Sequence, residues 1–155
     1  AASVLRHLAN LGYAVRLVTP ETAGEGAAAV EMSPDAALDV LAAATLTPAA
    51  TFAHVLDVAQ SLTASGGVLA AVLATHDLDL LRDVARLRGP GTIALALLVD
   101  AGAGAHTASP VGEQSEAVLR GAGWGVARAA GPFDQVTGVP ASWAALTRSL
   151  NRVGR

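Results

Sequence analysis

Thr19, Thr75, His76, Asp77 and Asp100 are the residues of this chain best placed to do chemistry. Each follows a short apolar run: residues 13–18, 68–74 and 92–99. If those runs are parallel strands, their carboxyl ends meet at one crevice, which is where open α/β sheets bind ligands. Hydroxyls and carboxylates gathered there could hold a hard divalent cation through oxygen ligands. The same residues also have plainer uses. Asp77 is placed to cap a helix, and Asp100 to begin a turn.

Other chemistries find less support. The chain has no Lys, and all of its basic side chains are Arg. A P-loop lacks its phosphate-binding Lys, and Schiff-base chemistry lacks its amine. Without Cys there is no disulfide, thiolate metal site or thiol nucleophile. No Ser sits in a Gly-x-Ser-x-Gly elbow. His7, His54, His76 and His106 are spread one per element, with no pair at helical ligand spacing. Gly24-Glu25-Gly26 with Ala29 loosely matches a dinucleotide fingerprint, but Thr19-Pro20 separates it from the preceding strand, and the next helix starts only at Ser33-Pro34. Gly102-Ala103-Gly104 lies about eight residues before the next helix, too far for a phosphate cradle. A net charge of −3 leaves no electrostatic footprint for nucleic acid.

The elements that must position these residues alternate between helix and strand. Residues 2–11 read as a helix with Val4, Leu5, Leu8 and Leu11 on one face. A strand follows at 13–18, then a Gly/Ala-rich loop at 21–30. Ser33-Pro34-Asp35 starts a helix to about residue 44, with Ser as cap, Pro in the first turn and Asp at the positive end of the dipole. Thr47-Pro48 opens another, buried along Phe52, Val55, Leu56, Ala59 and Leu62 and stopped at Gly66-Gly67. The run 68–74 reads as the central strand, nearly all apolar and covered on both faces. Asp77 caps a helix to about Arg88, and residues 92–99 form the next strand. A loop at 101–112, a short helix at 113–120 and a last strand at 124–129 follow. Pro140 opens a final helix along Trp143, Leu146, Leu150 and Val153. Trp124 and Trp143 lie on apolar faces as core anchors.

This is the pattern of a mostly parallel α/β sheet with helices on both faces, in one domain of 155 residues. The composition is 52% hydrophobic and only 3% aromatic, so small and branched side chains must build the core. No apolar run approaches the roughly 20 residues of a membrane helix, so this segment is expected to make no membrane contact. The chain begins at Ala1, with no Met and no strand ahead of its first helix, and reads as cut from something longer.

The order of elements is similar to a known family. A helix leads into Gly12-Tyr13-Ala14-Val15-Arg16-Leu17-Val18-Thr19, and a helix with Asp39-Val40-Leu41-Ala42 precedes the Thr47-Pro48 break. After the next helix and strand come Ala85-Arg86-Leu87-Arg88, the strand 94–100, and Leu119-Arg120-Gly121-Ala122-Gly123-Trp124. Over nearly its whole length the chain resembles the C-terminal part of the bacterial family catalogued as domain of unknown function 58, in its actinobacterial form. The resemblance implies a von Willebrand factor A-like domain that lacks its first central strand, the one that carries Asp-x-Ser-x-Ser. The family's other metal ligands would fall near Thr51 and near Thr75-His76-Asp77. Phe52 follows Thr51 where the family usually has Asp, and the second spacing differs by a residue or two. No ligand set is carried over. Thr51, Thr75, Asp77 and Asp100 remain as rim candidates for a divalent cation, and no other cofactor is implied.

Such proteins are typically encoded beside MoxR-type AAA+ ATPases, and they often carry membrane helices ahead of this domain. The resemblance therefore implies a non-enzymatic, cytoplasmic protein-interaction domain, an adaptor for such an ATPase, anchored through upstream sequence in its full-length form. Its working surface would be the rim of Thr19, Thr51, Thr75, Asp77 and Asp100. The alternatives are a Rossmann-like enzyme or nucleotide-binding domain using the same crevice, and a purely structural half of a larger domain.

Overall fold

The computed structural model describes residues 1–45, 51–74, 77–100 and 110–130, together with Trp143, Leu146 and Thr147. The chain forms two compact units, Ala1–Ala64 and Ser65–Arg155.

The regular elements described in the first unit are all helical. Helix α1 (Ala2–Asn10) buries Val4, Leu5 and Leu8. Leu11, expected on that face, is the residue that caps the helix C-terminus, and it is 58% exposed. Residues 13–18 do not form the expected strand. They carry no ladder, and their backbone bonds include Tyr13 N–H to the Leu8 carbonyl and Met32 N–H to the Val15 carbonyl. β-propensity describes fitness for a pleated surface, and without a paired neighbour it does not make a strand. The expected loop at 21–30 instead holds helix α2 (Pro20–Gly24) and a 3₁₀ turn (Ala27–Ala29). The cause is local. Thr19 and Thr22 form a reciprocal capping box around Pro20, which is pre-set for the first helical position.

Helix α3 (Pro34–Ala43) starts as its sequence predicts, with the Ser33 hydroxyl accepting from Ala36 N–H. The Thr47-Pro48 break lies outside the described residues. Helix α4 (Phe52–Thr63) buries Val55 and Ala59, and α2 packs on α4 as α1 does on α3.

The second unit holds the sheet. Strands β1 (Gly67–Ala74), β2 (Thr92–Asp100) and β3 (Gly125–Ala130) are all parallel, in the order β1-β2-β3. This is an α/β fold of Rossmann-like layering. Helices α5 (Leu78–Ala85) and α6 (Pro110–Gly121) make the two crossovers and pack against each other. They therefore share one face of the sheet, as right-handed crossovers require when strand order follows chain order. The helical residue Leu146 lies on the opposite face, where a Cβ at Gly125 would stand 3.3 Å from it and 3.0 Å from Leu95.

One expectation reverses. The run 68–74 is an edge strand, and its side chains are half-buried or exposed. The strand covered on both faces is β2, where Ala94, Leu95, Ala96, Leu97 and Leu98 are all at most 3% exposed. Leu81 from α5 and Leu119 from α6 complete this core. Each such leucine contributes about 1.5–3 kcal/mol by leaving water. An apolar run does not say which strand of a sheet is central, because a half-covered edge tolerates the same residues.

Boundaries shift modestly. Helix α5 ends at Ala85 rather than near Arg88, and α6 begins at Pro110, earlier than expected. Gly66 and Gly67 enter β1 with φ of 83° and 113°, a conformation that favours glycine. A Cβ on Gly66 would also lie 3.2 Å from the Gly91 carbonyl oxygen.

Candidate functional site at the carboxyl edge of the sheet

Asp77 is the best-defined residue of the expected rim. It follows the end of β1 in extended backbone, with φ −121° and ψ 97°. Its Oδ1 accepts from the backbone N–H of Asp79 at 3.1 Å and of Leu80 at 3.0 Å. A carboxylate there satisfies two otherwise unpaired donors and meets the positive end of the helix dipole. Asp79 pairs with Arg82, and Asp83 with Arg86, along the exposed face of α5. Exposed pairs of this kind contribute little to stability.

Asp100 ends β2, in register with Ala130 at the end of β3. Asp77 and Asp100 thus both belong to the carboxyl ends of adjacent strands, as expected. Thr75 and His76 lie outside the described residues. Thr19 and Thr51 belong to the first unit. The Thr19 hydroxyl is taken up by the capping box, accepting from Thr22 N–H at 3.3 Å. Thr51 precedes α4 and makes no side-chain cap to it. Among the described residues, no three His, Asp or Glu side chains converge as a metal site would require.

The Gly24-Glu25-Gly26 pattern does not build a phosphate cradle. Gly24 closes α2, and Gly26, at φ 70°, precedes the 3₁₀ turn. Gly24 stands at the C-terminus of α2, whereas an anion needs a helix N-terminus, and the turn after Gly26 is only three residues long. Gly102 and Gly104 lie outside the described residues, as does His106. The His54 ring nitrogen Nε2 is 3.3 Å from the Ala23 carbonyl oxygen, a contact from α4 to α2.

Two charged groupings escaped the sequence reading. In the first unit, the Glu21 carboxylate is held below its usual range by its own backbone N–H, by the Thr19 hydroxyl and by the backbone of Thr45, against a smaller opposing cost of desolvation. In the second, Arg128 crosses from β3 to α6. Its side chain is 20% exposed and lies 4.0 Å from Glu116, which also pairs with Arg120 at 2.7 Å. Gly112 makes room for it, since a Cβ there would fall 2.5 Å from the Arg128 guanidinium. The available signals were an arginine inside an otherwise apolar strand and a glycine inside a helix.

Compared with protein-family models, with curated proteins and with solved structures, the chain matches none.

Proposed function

We propose that this chain is a non-enzymatic protein-interaction module that presents the carboxyl edge of its parallel sheet to a protein partner. Asp77 and Asp100 supply the charge of that surface, and Thr75 adds a hydroxyl. Contact with the partner is direct or bridged by a divalent cation. The observation that carries this reading is the Asp77 cap. Its carboxylate occupies the N-terminal N–H groups of α5, the groups that a nucleotide phosphate would need on a sheet of this kind. A fixed negative charge there repels phosphate and suits a basic protein surface. The resemblance to the domain of unknown function 58 family adds the partner class, a MoxR-type AAA+ ATPase.

The test is a pull-down of the MoxR-type ATPase from the same source, with the full-length protein as bait. Asp77→Ser keeps an N-cap oxygen but removes the charge, and it is combined with Asp100→Asn. The expected result is loss of the captured ATPase with the bait still folded. Equal capture by wild type and variant overturns the assignment of this surface.

A further inference from the structure

The two edges of the sheet differ in character. On β3, Arg120 reaches over from α6 and donates to the Val126 carbonyl at 3.3 Å, and Arg128 places a second cation within the strand. Charge on a strand and side chains on its carbonyls are the devices by which proteins blunt an edge. β1 has none of them. Its eight residues contain no charge and no proline, and it pairs with β2 without interruption from Gly67 to Ala74. Among the described residues, no strand pairs with its other side. Of its large side chains, Val72 is 37% exposed. An open ladder of N–H and C=O groups selects an extended backbone, and uncharged Val, Leu and Ala side chains select an apolar one.

We propose that β1 pairs antiparallel with β1 of a second copy, joining two three-stranded sheets into one of six strands. Three features favour a second copy over another occupant. First, the edge complements itself. A two-fold axis at Ala71, normal to the sheet, sets Leu69 opposite Leu73 on one face and Ala70 opposite Val72 on the other. Second, the charge pattern permits it. In a chain of net charge −3 the strand is wholly uncharged, and the nearest acid, Asp77, falls at opposite ends of the joined strands. Third, the assembly closes. The guarded β3 edges become the outer edges, so pairing stops at two copies instead of running on as a filament. A contact of one strand edge is small, and it gives a reversible dimer that depends on concentration.

The test is sedimentation of the whole chain from micromolar to near-millimolar concentration. Wild type is expected to rise from monomer to twice the monomer mass. Val72→Lys and Ala74→Lys, each adding a charge at an exposed edge position, are expected to stay monomeric with unchanged circular dichroism. A wild type that remains monomeric at the highest concentration overturns the proposal. So does self-association that neither lysine variant reduces.

Discussion

At Asp77 the same carboxylate serves stability and the proposed contact, and substitution can separate the two. Asp77→Ala removes the cap of α5 and is expected to cost about 1 kcal/mol in chemical denaturation. Asp77→Ser retains a hydroxyl acceptor and is expected to recover most of that loss. Glu21 gives a pH signature. Its folded-state pKa lies below the ordinary value of 4.5, so its contribution is fully present above that value and is lost as pH falls through the folded one. Wild type is therefore expected to melt above Glu21→Gln near neutrality, with the gap closing as the pH is lowered past 4.5. A gap that stays constant to low pH would show that the carboxylate's charge plays no part. Asp77 was legible in the sequence because a cap is local, fixed by a side chain and the two or three residues after it. Glu21 was not, although its two largest partners, its own backbone N–H and the Thr19 hydroxyl, are local, because they face the carboxylate only once the unread helix α2 has formed; the distant Thr45 backbone adds less.

At the scale of elements, β2 and β1 make the sharpest comparison. Leu97 on β2 is 1% exposed, while Leu73 on β1 is half-buried. Leu97→Ala should cost about 2–5 kcal/mol, the range for a fully packed leucine that leaves a cavity. Leu73→Ala should cost less than half as much, and equal losses would contradict the strand order β1-β2-β3. Helices α1, α3, α4, α5 and α6 and all three strands were readable from apolar spacing, caps and turn residues. The rank of each strand within the sheet was not, since hydrophobicity marks a strand as covered without saying by what. Residues 13–18 show the converse. Tyr13, Val15 and Leu17 alternate as a strand would, yet a ladder requires a second backbone that the sequence does not name. The capping box of α2 was legible in principle, but threonine as both N-cap and N3 residue is a weaker signal than the Ser-Pro-Asp start of α3.

At the scale of the whole chain, the absence of Lys and Cys and the modest negative charge narrowed the chemistry before any fold was known. The parallel α/β class was equally plain. The division into Ala1–Ala64 and Ser65–Arg155 was not, because Ser65-Gly66-Gly67 reads as well for a simple turn as for a boundary between compact units. Aromatic scarcity now becomes useful. The chain has one tyrosine, Tyr13, and two tryptophans, Trp124 and Trp143. Both tryptophans are buried within the second unit, and the Trp124 indole N–H donates to the Ala85 carbonyl at 3.2 Å. Tyr13 lies in the first unit and is 46% exposed. Each unit therefore carries its own natural chromophore. Red-edge excitation selects indole over phenol, so intrinsic tryptophan fluorescence reports on the second unit alone and can follow its unfolding without any label.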